Sequence, residues 1–118
     1  MGNQDFSRSR RVADQLGREL AMILLEDLDD PRLRGVTLSR VDVSPDLRSA
    51  TVLVNLPAGA DSHEAVRALT RATGRLRKRL STRVRLKYMP SLRFEYDPTL
   101  DRVDRIDRLL RGEASEED

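Results

Sequence analysis

From Ser9 onward, Val12, Leu16, Leu20, Ile23 and Leu24 recur at spacings of three and four, the stripe of an amphipathic helix. Asp29-Asp30-Pro31 predicts its end near Asp27, because proline excludes the helical conformation from the residue before it and donates no backbone hydrogen bond. The run from Val36 to Val43 is β-branched and alternating, which predicts a strand. Its apolar parity shifts between Leu38 and Val41, as though a bulge lay at Ser39 or Arg40. Ser44-Pro45-Asp46-Leu47-Arg48 supplies turn chemistry, and Ala50, Val52, Val54 and Leu56 alternate after it, so the two strands form an antiparallel hairpin.

Pro57 and Gly59 close the hairpin, and Asp61 or Ser62 can cap a helix whose apolar face runs through Ala65, Leu69, Ala72, Leu76 and Leu80. Gly74 interrupts that face. Glycine in a helix costs about 1 kcal/mol relative to alanine, which predicts a bend or a helix-to-helix junction there. After Pro90, Leu92, Phe94 and Tyr96 alternate as a third strand with its apolar side chains on one face. In a last helix Leu100, Val103, Ile106, Leu109 and Leu110 are expected to face inward. Asp101, Asp104 and Asp107 each stand four residues before an arginine. Gly112 ends that helix, and residues 112–118 read as a disordered acidic tail. The order α-β-β-α-α-β-α describes an α+β fold, a three-stranded sheet with helices packed on one face, and its first six elements follow the order of a type II KH domain.

A chain of 118 residues is expected to make one domain, here residues 1–111, since two would each have too little interior. No apolar run approaches the roughly 20 residues that span a bilayer, and the N-terminus lacks the layout of a secretory signal, so a cytoplasmic protein is expected. With no cysteine and a single histidine, there is neither a thiol nucleophile nor a multi-histidine metal site. No cofactor, metal or small-molecule substrate is expected, and no enzymatic activity.

Charge sharpens this picture. The net value of +2 conceals segregation: residues 1–64 hold 8 basic and 11 acidic side chains, residues 65–94 hold 10 basic and none acidic, and residues 95–118 hold 4 basic and 9 acidic. On a helical wheel Arg67, Arg71, Arg75 and Lys78 share one sector opposite Leu69, Leu76 and Leu80, flanked by Arg77 and Arg79. Arg83, Arg85 and Lys87 continue the charge into the following loop. Charged helix faces usually serve solubility when both signs are mixed. Here they are not mixed, and like charges four residues apart destabilise a helix unless a polyanion compensates them. These residues, with the junction Ala72-Thr73-Gly74, form the candidate RNA-binding site. Arg8, Arg10 and Arg11 at the start of the first helix are a candidate secondary contact.

Two other features have ordinary explanations. Asp29 and Asp30 could suggest metal-binding carboxylates, yet Asp-Asp-Pro is a common helix stop and a site would need further ligands. His63 lies at a predicted helix start without a nucleophile or partner carboxylate, and is expected to face solvent.

Several segments together resemble the ribosome-binding factor A family: Arg10 to Leu20, Asp30-Pro31-Arg32-Leu33, Val41 to Leu47, Ala72 to Arg77, Pro90 to Asp97 and Ile106 to Leu110, in the right order over about residues 7–110. The resemblance implies a KH-like domain in which an Ala-x-Gly helix junction, here Ala72-Thr73-Gly74, replaces the usual Gly-x-x-Gly loop, which this chain lacks. It further implies a non-enzymatic factor that binds the free 30S ribosomal subunit and its 16S rRNA, promotes late maturation and 5′-end processing of that rRNA, and supports growth in the cold. Such a factor would be monomeric when free. The alternative is a protein-interaction adaptor docking an acidic partner through the basic helix. A hydrolase finds no convincing set of acid, base or metal ligands.

Overall fold

The first helix begins well before its apolar stripe does. A computed structural model of the chain describes residues 2–26 and 30–112, and in it α1 runs from Gly2 to Glu26. Apolar periodicity marks only part of a helix: the stripe starts at the half-buried Val12 and continues through the buried Leu16, Leu20, Ile23 and Leu24, whereas the buried Ser9 before it is polar. The expected stop near Asp27 falls just outside the described residues, as does Asp29. Asp30 starts a new element: its carboxylate accepts the Arg32 N–H and opens a single 3-10 turn, Pro31–Leu33, that drives Leu33 into the core. Gly35 then turns the chain at φ 78°, and a Cβ there would stand 2.5 Å from Pro57 Cγ, so both the backbone and the space demand glycine.

Strands β1 (Thr37–Val43) and β2 (Ser49–Asn55) pair antiparallel, and the register passes from Leu38–Val54 to Arg40–Leu53, leaving Ser39, one of the two expected positions, as the bulge. Strand β3 (Ser91–Tyr96) pairs parallel with β2, so the sheet is mixed and β2 is central. Ala50, Val52 and Val54 of β2 are buried together with Phe94 of β3. The helices over this face are α1, α2 (Ser62–Arg71) and α3 (Thr73–Ser81): α1 lies on β1, α2 beside β3, and α3 packs against α1. Asp61 is the cap of α2, accepting the N–H groups of His63 and Glu64 at 3.0 and 3.2 Å. His63 is exposed.

The bulge has a partner across the fold. Ser39 donates its hydroxyl to Asp97 at 2.5 Å, and Asp97 also accepts the N–H and hydroxyl of Thr99, tying β1 to the start of α4 (Thr99–Leu110). These donors, Ser39 first, lower the Asp97 pKa to about 2. A lowered carboxylate pKa contributes stability that is complete above the ordinary value of about 4 and is lost as the pH falls through about 2.

The last helix departs from expectation. Leu100, Val103, Ile106, Leu109 and Leu110 do not face the core but stand 50–82% exposed. The inner face of the sheet is already occupied by α1, α2 and α3, and a helical stripe in sequence records amphipathicity without recording what covers it. Of the three acid–base pairs expected on this helix, Asp107 meets Arg111 at 3.1 Å. The side chains of Asp101 and Asp104, and the acidic tail from residue 113, lie outside the described residues.

Candidate nucleic-acid interface

Helices α2 and α3 separate core from charge along their length. Ala65, Ala68, Leu69, Leu76 and Leu80 are buried, while Arg67, Arg71, Arg75 and Lys78 are exposed. The junction between the helices centres on Ala72, with φ −86° and ψ 0°, rather than on Gly74. The Ala72 N–H reaches the carbonyls of Ala68 and Leu69, both at 3.1 Å, its own carbonyl accepts from Leu76 to start α3, and the half-buried Thr73 returns its hydroxyl to Leu69 O. Ala72 is only 6% exposed, so its side chain belongs to the core and presents nothing to a ligand, which corrects its place among the contact residues. Gly74 lies inside α3 with no positive φ, exposed, and with open space where a Cβ would stand. Gly74→Ala is therefore expected to stabilise the fold by about 1 kcal/mol, read as a higher urea midpoint.

Several of the expected contact residues have partners within the fold. Arg79 reaches Glu26 of α1 at 2.7 Å, and Arg83 meets the same carboxylate at 2.5 Å and Glu19 at 3.8 Å. The acid-free window in sequence is thus partly neutralised by α1, and these two arginines fasten α3 to it. Arg77 turns inward: its Nη2 donates to Met89 O at 3.1 Å, and its Nε is buried with no hydrogen-bond partner among the described residues. Arg67 lies 3.8 Å from Glu64 in an exposed pair that contributes little.

Arg85 and Lys87 belong to a different place. Residues 84–90 have no regular secondary structure, and buried Val84 and Pro90 with half-buried Leu86 and Met89 anchor them, turning Arg85, Lys87 and Tyr88 outward. With α1 and the turn between β1 and β2 this segment encloses an open groove of about 920 Å3, lined by Arg8, Arg11, Arg48, Arg85, Lys87 and Tyr88 among others. None of the four helix-face cations lines it. The structure therefore splits the expected patch in two. It joins Arg8 and Arg11 to the second part and leaves Arg10 exposed but outside the groove lining. Arg48 and Tyr88 were not anticipated; the alternation from Val84 to Lys87 was the available signal for an outward-facing ledge.

Among the described residues no group of three or more His, Asp or Glu side chains could hold a metal ion. The Asp30 carboxylate is taken by the side chain and then the backbone N–H of Arg32, which lower its pKa, with Arg71 adding a smaller electrostatic contribution.

A family model described as ribosome-binding factor A matches residues 8–110. Ribosome-binding factor A of Alkalilimnicola ehrlichii is 49% identical over 117 residues, covering 98% of this chain and 89% of that protein. The crystal structure of ribosome-binding factor A from Thermus thermophilus superposes with a TM-score of 0.68 at 36% identity, covering 75% of this chain and 93% of that one. Coordinates of the Thermus thermophilus factor fitted into a cryo-electron microscopy map of its complex with the 30S subunit give a TM-score of 0.62 at 37% identity, covering 73% and 91%.

Proposed function

The chain belongs to the ribosome-binding factor A family, a family of non-enzymatic ribosome assembly factors, and from that premise we propose that it binds the free small ribosomal subunit through 16S rRNA. There it promotes late maturation and 5′-end processing of that rRNA by holding it in a productive geometry. We further propose that residues 1–111 act as a single domain, monomeric when free, in the cytoplasm. No helix among the described residues is long and apolar enough to cross a membrane.

The observation that carries this reading is the exposed row Arg71, Arg75 and Lys78 opposite the buried Leu69, Leu76 and Leu80. Each phosphate met by such a cation releases about 0.7–0.9 of a counterion, so association with small subunits should weaken steeply as salt rises. Sedimentation of the protein with purified small subunits across a salt series measures the slope; binding indifferent to salt overturns the reading. Pull-down after nuclease treatment should lose the partner, whereas a retained acidic protein would favour an adaptor. Open space over Gly74 allows RNA to approach the backbone closely. Gly74→Ala should accordingly lower subunit affinity even as it raises stability.

A further inference from the structure

We propose that the groove between α1, the β1–β2 turn and residues 84–90 binds a single-stranded segment of RNA, its phosphates on Arg8, Arg11, Arg48, Arg85 and Lys87 and one unstacked base on Tyr88. This rests on the reading of the chain as an RNA-binding factor and adds a second site of a different kind from the helix face.

The ring is the discriminating feature. The chain has only two Tyr and two Phe, and Phe94 is buried, yet Tyr88 is 76% exposed on a loop. An exposed ring costs apolar burial, and here Lys87 Nζ stands over one face, 5.7 Å from the ring centroid, so a base would take the other. Successive phosphates with a base laid on an aromatic ring are what a single strand presents. A duplex offers phosphates but keeps its base faces stacked inside. The cations come from three segments distant in sequence, so they form a track, and the volume of about 920 Å3 lies in the range of ligand sites.

The platform is fixed before any ligand arrives. Arg77 crosses from α3 to hold Met89 O, Pro90 is fully buried, and the first residue of β3, Ser91, donates to Arg48 O at 2.9 Å, locking the loop to the opposite wall. On that wall Leu47 sits at φ 63°, a left-handed conformation that a leucine adopts only under constraint, and such constrained residues concentrate at binding sites. The acid on the lining, Asp46, is occupied by the Ser44 hydroxyl and the Arg48 N–H, which lower its pKa.

Fluorescence anisotropy with a labelled ten-nucleotide oligoadenylate, and with a labelled RNA duplex of the same length, tests the assignment. The single strand should bind the wild-type chain more tightly than the duplex does. Tyr88→Ala should weaken single-strand binding about five- to hundredfold with an unchanged melting temperature, Tyr88→Phe should retain it, and Arg48→Ala with Lys87→Ala should flatten its salt slope by about 1.4. Failure of the single strand to bind, equal affinity for the duplex, or indifference to Tyr88→Ala each overturns the groove. Because small-subunit affinity of the same preparations is measured in parallel, a groove that fails while subunit binding persists leaves the broader function standing, and loss of salt-sensitive subunit binding fells both.

Discussion

Arg71, Arg75 and Lys78 changed together to Glu are expected to cost at least a hundredfold in small-subunit affinity near 0.1 M salt. The magnitude follows from counterion release. At that concentration each phosphate contact contributes about 0.7–0.9 logarithmic units, so three lost contacts give about 2.1–2.7, and the new carboxylates add repulsion. The salt slope should flatten by a similar two to three units. The fold should tolerate the change, because all three side chains are exposed while Leu69 and Leu76 on the opposite face remain buried. The helix dipoles balance only in part: Arg71 in the last turn of α2 and Lys78 in the last turn of α3 lose favourable positions, whereas a glutamate at position 75 gains one in the first turn of α3, a net cost of a few tenths to about 1 kcal/mol. Arg79→Ala with Arg83→Ala is the informative control. Both arginines pair with Glu26, so their loss should lower the melting temperature and leave most of the affinity. Sedimentation with small subunits and thermal unfolding read both variants, and unchanged affinity and slope in the triple variant would remove the helix face from the interface.

Features written in local periodicity were legible in the sequence. The stripe of α1 names its own buried residues, and the parity shift after Leu38 narrowed the bulge to Ser39 or Arg40 because side chains alternate strictly along a strand; the pairing register chooses Ser39. Features written between distant segments were not. Alternation in Leu92, Phe94 and Tyr96 says that β3 is a strand but not that it runs parallel to β2. The apolar stripe of α4 was visible, while the prior occupation of the sheet by three helices was not, and so Ile106 stands 57% exposed instead of inside.

The candidate site follows the same division. Exposure of Arg71, Arg75 and Lys78 came from helical phase, a local quantity. Counting charge along a window could not register that Glu19 and Glu26, more than fifty residues earlier, would meet Arg79 and Arg83. Nor could it register that Arg48 and Tyr88 would face one groove with Arg8 and Arg11. The junction expected at Ala72-Thr73-Gly74 lies between α2 and α3, and within it the hydrogen-bond slip is at Ala72, where a methyl group is buried against the core.

Leu76→Ala should remove about 2–5 kcal/mol of stability, a large share of the roughly 5–15 kcal/mol that holds a domain folded. Leu76 is wholly buried on α3, the helix that packs against α1 and carries Arg75 and Lys78 on its outer side. Truncation deletes one methine and two methyl carbons from a site that cannot collapse easily, because Arg79 and Arg83 fasten α3 to Glu26. Two residues away Gly74→Ala adds a carbon in open solvent and should act in the opposite direction, so one short helix separates a packing effect from a propensity effect. Urea unfolding measures both. The folded fraction of Leu76→Ala should still bind small subunits with nearly wild-type affinity, since the cationic row is untouched. A midpoint equal to wild type would mean that α3 does not pack its Leu76 side inward, and the outward direction of Arg75 and Lys78 would fall with it.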